Sequence, residues 1–252
     1  MADSARYRIG VDIGGTFTDV VLLDTHTQQL RFTKVSTTPA DPAAGFFAGV
    51  EKALAQGRGD PAQVQGIFHG STVATNAVVE GKGSRMGLLV SQGFRDMLEI
   101  GRAYIPGIFT NYMRWEKPAG LVPLELVREI PERLAADGAV VRPVDDEVAR
   151  EQIADLLRHD VESLAISLLH SYVNPAHEQR LEDIVHDIAP DLFVSRSSDV
   201  LPEYREYERT MTTVLNAYVM PVVARYLQHL EGGWPRAGSG PRSKSCGLMP
   251  AS

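Results

Sequence analysis

The stretch IGVDIGGTFTDVVLLD, residues Ile9–Asp24, sets an acid, two glycines and two threonines between two apolar runs. Tyr7–Ile13 and Thr18–Leu23 read as strands on either side of Gly14-Gly15. Leu30–Ser36 reads as a third strand after the turn Asp24-Thr25-His26-Thr27-Gln28. Connections this short join neighbouring antiparallel strands, so the chain opens with a three-stranded meander.

The first bend has two readings. As a type I′ hairpin, Gly-Gly is a preferred turn sequence. That explains the glycines but not Asp12, because an unpaired carboxylate ending an apolar strand is costly. As a phosphate cradle, Gly14 and Gly15 allow close backbone approach and the positive φ of a nest. Thr16 and Thr18 add hydroxyl donors, and Asp12 acts on phosphates through a hydrated Mg²⁺. No Gly-Lys-Ser/Thr follows, and a strand rather than a helix comes next, which sets aside the Walker A loop and the Rossmann fingerprint. Asp19 is either a second acid of the site or a solvent-facing strand residue.

Beyond the meander, Asp41 and Pro42 open a helix with Phe46, Phe47, Val50 and Leu54 at helical spacing, closed by Gly57. A strand Gln65–His69, a helix Thr72–Glu80 and a strand Arg85–Ser91 follow, which predicts a mixed α/β sheet. Gly101–Gly120 reads as an ordered loop anchored by Tyr104, Phe109, Tyr112 and Trp115. Val127–Pro143 reads as a hairpin turning at Asp137-Gly138. A second α/β run has a helix from Asp145 to His159, a strand Ser163–Leu169, a helix Asn174–Ile188 and a strand Leu192–Ser195. Pro202 opens a long helix with a kink expected at Pro221. From Gly232 the chain is rich in Gly, Pro, Ser and Arg without periodicity, the composition of a disordered and aberrant end.

A chain of 252 residues, 44% hydrophobic, holds one large domain or two small ones with real cores. The net charge of −7 with no basic block argues against nucleic acid as a partner. The single cysteine, Cys246, rules out an internal disulfide framework and a cysteine-based zinc site. No apolar run approaches a membrane span, and Met1–Arg6 lacks a signal-peptide core, so a cytoplasmic location away from membranes is expected. His159, His170, His177 and His186 are scattered, without metal-ligand spacing.

Two further polar groups stand out. His69-Gly70-Ser71-Thr72 ends an apolar strand, with Thr75-Asn76 one helical turn on. Either these line a pocket at the strand's carboxyl end, or Thr72 caps its helix and His69 is a satisfied, partly buried imidazole. Asp96 and Arg102 bracket a short helix as substrate ligands or as an ordinary ion pair. Glu203, Arg205, Glu206, Glu208 and Arg209 read as a solvated or ion-paired helix start.

DIGGTFTD, HGSTVATNAVVEGKG and GLLVSQGFRDMLEIGR, in this order, resemble the N-terminal portion of the hydantoinase A/5-oxoprolinase family, from about Tyr7 to Glu231. The resemblance implies an α/β fold, the N-terminal lobe of an actin-like (ribonuclease H-like) ATPase with a mixed sheet and an incomplete second lobe. It implies ATP and Mg²⁺ as cofactors, with Asp12 organising the metal and Gly14, Gly15, Thr16 and Thr18 lining the phosphates. His69, Thr72, Asn76, Asp96 and Arg102 become candidate substrate residues. Ser71 departs from the family's usual His-Gly-Thr-Thr, keeping a hydroxyl. The expected domains are a hydantoinase/oxoprolinase N-terminal domain over 1–200, the start of a hydantoinase A domain over 201–231, and a tail over 232–252. The implied activity is ATP-dependent hydrolysis of a cyclic amide of the hydantoin or 5-oxoproline type, with a B-type subunit as partner. An acetone-type carboxylase subunit acting on a ketone is the alternative. No second copy of DIGGTFTD occurs, so a truncated first half, inactive alone, is also expected.

Overall fold

The computed structural model describes residues 6–38, 41–102 and 120–233. The loop expected over 101–120 (Gly101, Arg102 and Gly120 excepted), Cys246 and nearly all of the expected tail (Gly232 and Gly233 excepted) lie outside these residues. The chain divides into two compact units, Met1–Gly81 with Val222–Ser252, and Lys82–Pro221.

In the first unit the expected meander forms: β1 (Tyr7–Ile13), β2 (Phe17–Asp24) and β3 (Gln29–Ser36) pair antiparallel in sequence order. Helix α1 (Pro42–Gly57) follows, with Asp41 accepting from the Ala43 amide at 3.1 Å. Pro42 fits this first turn because its missing N–H would be unpaired there anyway. Ala43, Phe46, Val50, Ala53 and Leu54 face the sheet. Gly49 brings α1 close: a Cβ there would stand 2.7 Å from Val20 Cγ2. Arg58, at φ 49°, ends the helix in a left-handed cap.

β4 (Val64–Ser71) then adds parallel to β1, giving the order β3-β2-β1-β4. Tyr7, Ile9, Val11, Ile13, Val20 and Leu22 meet α1 in the core, joined by Tyr226. The opposite face of this sheet is open among the described residues. The cross-strand register aligns Phe32, Val21, Gly10 and Phe68 in one row there, with Phe32 73% and Phe68 69% exposed. Helix α2 (Val73–Val79) follows β4 directly.

The second unit is built on four parallel strands. β5 (Met86–Ser91), α3 (Met97–Ile100), β6 (Val127–Ile130), β7 (Arg133–Leu134), β8 (Val140–Arg142), α4 (Asp146–Leu157), β9 (Ser163–Ser167), α5 (Ala176–Ile188), β10 (Phe193–Arg196), α6 (Ser197–Val200) and α7 (Glu206–Gly233) run in that order. The sheet order is β10-β9-β5-β6. Every residue of β5 and β9 is buried, as expected of parallel strands covered on both faces.

Two expectations are corrected here. The hairpin read over Val127–Pro143 is confined to β7 and β8, turning through Gly138 at φ 84°. Val127–Ile130 instead pairs parallel with β5, and Pro131, lacking an amide hydrogen, ends it. The long helix begins at Glu206 rather than at Pro202, and the separate turn α6 precedes it. Pro221 lies inside α7, where the division between the two units falls. Among the described residues no helix is long and apolar enough to cross a membrane.

Within the second unit α7 docks on the segment entering β5. The Ser84 amide donates to the Tyr218 carbonyl at 2.9 Å, and a Cβ on Gly83 would stand 2.1 Å from Tyr218 Cε1. Gly83→Ala therefore forces the buried Tyr218 ring aside. The expected loss is about 1–3 kcal/mol of unfolding free energy, typical of an overpacked core, measured by urea denaturation.

Candidate functional site

The bend at Gly14–Phe17 lies at the carboxyl ends of β1 and the parallel β4, where ligands of open α/β sheets gather. The Gly14 amide donates to the Phe17 carbonyl at 3.0 Å, leaving Gly15 and Thr16 at the tip. Both tip residues are exposed, and among the described residues neither amide donates a hydrogen bond.

The glycines are there for space rather than for sign of φ. Gly14 and Gly15 are absent from the positive-φ residues, so the expected nest conformation is not formed. The type I′ turn fails on the same ground, since both of its central residues need positive φ. Instead, a Cβ on Gly14 would stand 3.1 Å from the Phe17 carbonyl oxygen, and one on Gly15 3.3 Å from Asn76 Nδ2.

Thr72 and Asn76 close on this bend from α2. The Thr72 amide (3.2 Å) and Oγ1 (3.1 Å) both donate to the Ile13 carbonyl, and Asn76 Nδ2 donates to Thr72 Oγ1 at 3.1 Å. The structure therefore brings together Gly14, Gly15, Thr16, Thr72 and Asn76. Thr72 is the N-cap residue by position but makes no side-chain cap bond, because its hydroxyl is committed to β1.

Asp12 lies on the open face, exposed, directly opposite Asp19 in the β1–β2 register. Like charges placed so repel. Asp19 has Lys34 Nζ at 3.2 Å, whereas Asp12 has no cationic or hydrogen-bonding partner among the described residues. Asp12 Oδ1 lies 3.6 Å from where a Cβ on Gly70 would stand, so a small residue keeps its surroundings open. An exposed, unpaired carboxylate beside a second acid is an oxygen donor set suited to a hydrated Mg²⁺.

Thr18, expected to line the phosphates, is corrected. It alternates to the core face, is fully buried, and its hydroxyl lies 2.9 Å from that of Thr37. Thr37 itself donates to the bend, its amide to the Thr16 carbonyl (3.0 Å) and its Oγ1 to the Gly14 carbonyl (2.9 Å). Following the end of β3, it carries no motif that would have marked it.

His69 also turns to the core side, its ring edge-on to Phe46 (6.0 Å) and to Tyr226 (5.9 Å). Burial lowers its pKa. Burial also pushes the Tyr226 phenol up to about 12, the neighbouring Ser71 hydroxyl, short of hydrogen-bond geometry, offsetting a part. This is the partly buried imidazole of the plainer reading.

Asp96 and Arg102 belong to the second unit. Asp96 is exposed at the start of α3 without a side-chain cap bond. Arg102 forms an ion pair with Glu208 of α7, its Nε donating at 2.7 Å, which holds the Glu208 carboxyl below its usual range. The charged start of α7 is solvated at Glu203, Arg205 and Glu206, but Arg209 is a correction: it is buried. Its guanidinium donates to the Glu203 (2.6 Å) and Leu168 (2.7 Å) carbonyls, and burial lowers its pKa. Arg209 helps line a cavity of about 10 Å³ at the carboxyl ends of β5 and β9. That is room for a single water, too little for a substrate.

The sequence profile of the hydantoinase/oxoprolinase N-terminal region matches residues 8–189. The chain is 36% identical over 239 residues to the caprolactamase subunit alpha of Pseudomonas jessenii, covering 93% of this chain and 34% of that one. It is 33% identical over 247 residues to the acetone carboxylase beta subunit of Xanthobacter autotrophicus, covering 92% and 34%. The crystal structure of the ATP-dependent caprolactamase from Pseudomonas jessenii superposes with a TM-score of 0.78 at 35% identity, over 94% of this chain and 35% of that one. The chain thus spans about a third of the length of these relatives. The α/β architecture with its mixed first sheet agrees with a partial actin-like ATPase fold.

The environment of His69 gives a pH dependence. Its folded pKa lies below the ordinary 6.5, so below pH 6.5 the unfolded chain binds the extra proton first. This contribution to stability is complete above pH 6.5 and is lost as pH falls toward the folded value. His69→Phe keeps the ring contacts and removes the titration. The expected outcome is a smaller loss of urea midpoint between pH 7.5 and pH 5 than in the parent chain.

Proposed function

The chain belongs to the hydantoinase/oxoprolinase family, and on that premise we propose that its first bend grips the phosphates of ATP. One observation carries the reading: at the end of β1, which carries Asp12, the exposed Gly15 and Thr16 offer amides that donate to no group, and the Asp12 carboxylate has no cationic partner, among the described residues. Donors without partners suit an anion, and a carboxylate beside another acid suits a cation. Mg²⁺ held by Asp12 would neutralise phosphate charge, and the Thr16 hydroxyl adds a further donor. Asn76, packed over Gly15, borders the same space.

A ring amide is a poor electrophile with a poor leaving group. Phosphoryl transfer from ATP to its oxygen gives an imidate phosphate that water can open. The work left to the protein is positioning and charge stabilisation. In the reading we favour, this chain supplies one wall of such a site in an ATP-dependent cyclic-amide hydrolase, alongside a B-type subunit. The comparable likeness to an acetone carboxylase beta subunit supports a second reading, in which the same transfer traps a ketone as its enol phosphate. ATP hydrolysis stimulated by caprolactam, hydantoin or 5-oxoproline would favour the first. Stimulation by acetone with bicarbonate would favour the second.

The phosphate reading is tested by calorimetric titration with Mg-ATP. Asp12→Asn is expected to weaken binding at least about tenfold, ~1.4 kcal/mol, and to abolish its dependence on Mg²⁺. Equal Mg-ATP affinities for the two chains would remove the role given to Asp12.

A further inference from the structure

We propose that Thr37 is the positioning residue of the phosphate bend, an inference that rests on the nucleotide reading above. A threonine hydroxyl has one proton, and a carbonyl only accepts. The contact between Thr37 Oγ1 and the Gly14 carbonyl, at 2.9 Å, therefore uses the Thr37 proton. The 2.9 Å contact between Thr37 and Thr18 must then run from the Thr18 hydroxyl to Thr37 Oγ1. The result is a directed chain from Thr18, fully buried, through Thr37 to the backbone of the bend.

The direction fixes the peptide. The Gly14–Gly15 bond is trans, so its C=O and N–H point opposite ways. Thr37 holds the Gly14 oxygen toward the core side, which turns the Gly15 N–H away from it, outward. A second anchor comes from the Thr37 amide, which donates to the Thr16 carbonyl at 3.0 Å. The two alternate carbonyls of the tip are thus tied to one residue.

Space is reserved for this arrangement. A Cβ on Gly45 of α1 would stand 3.2 Å from Thr18 Oγ1 and 3.5 Å from Thr37 Cα, so the helix backbone packs against the relay. Thr37 acts on phosphate only through the Gly15 peptide. Its loss frees that peptide to rotate, while the backbone bond from the Thr37 amide remains.

The test compares Thr37→Val, which keeps the shape and removes the hydroxyl, with Thr37→Ser, which restores it. Two readouts are taken on the full chain. Without nucleotide, the amide resonance of Gly15 is expected to move in Thr37→Val and to return in Thr37→Ser, while those of Val11 and Val20 stay put. With Mg-ATP, Thr37→Val is expected to bind about tenfold more weakly and Thr37→Ser to recover to within about threefold. An unmoved Gly15 resonance overturns the positioning role whatever the nucleotide result. So does a loss of affinity that Thr37→Ser fails to recover. If Gly15 moves as expected but the parent chain binds no Mg-ATP, the nucleotide reading falls, and with it a phosphate function for Thr37.

Discussion

The Ile13 carbonyl accepts two hydrogen bonds from Thr72, and the geometry of the whole candidate site depends on them. They fix the last residue of β1 against the first turn of α2, across the parallel β1–β4 pair. Asn76 then reaches Thr72 from one helical turn on and stands over Gly15. One strand end, one helix start and one bend are thereby joined at a single corner. Carbonyls on the two sides of the bend are spoken for, by Thr72 at Ile13 and by Thr37 at Gly14 and Thr16. Amides that the same bonds leave over face solvent. In the anion site proposed here, the acceptors of the bend are satisfied before its donors.

The second unit spends its polar groups differently. Glu132 is buried between the Ser91 hydroxyl and His177 Nδ1, the latter at 2.6 Å. Glu178, also buried, accepts from the Leu168 amide at 2.9 Å, while Arg209 donates to the carbonyl of the same residue. Two opposite charges thus polarise one residue's backbone from either side without touching. Buried charges cost desolvation, and such bonds offset it only when nearly all of the polar atoms are met. These groups hold the carboxyl ends of the second sheet shut, in contrast to the open corner of the first unit.

Local pattern made much of this legible. The alternation in β1 to β3, the Asp41-Pro42 start of α1 and the apolar run of β9 each follow from one segment read alone. The glycines at 14 and 15 answer to crowding by Phe17 and Asn76 rather than to the positive φ that their sequence suggests. What stayed hidden depends on partners distant in sequence. Thr37 matters because β3 returns beside the bend, and Thr18 faces inward because the strand alternates from Asp19. Arg209 looked solvated because its neighbours are charged; only the fold sets it under Tyr172, at 5.6 Å, and beside the Leu168 carbonyl. Val127–Ile130 went to the sheet rather than to the hairpin because β5 had a free edge for it.

The row of Phe32, Val21, Gly10 and Phe68 bears on how the described surface meets salt. Exposed aromatic rings on a four-stranded surface hold water that gains freedom when another apolar surface arrives. Sulfate and phosphate, excluded from protein surfaces, raise the free-energy gain of hiding such a face. Dilute buffers of low ionic strength, in which the net charge of −7 repels its like unscreened, keep the molecules apart.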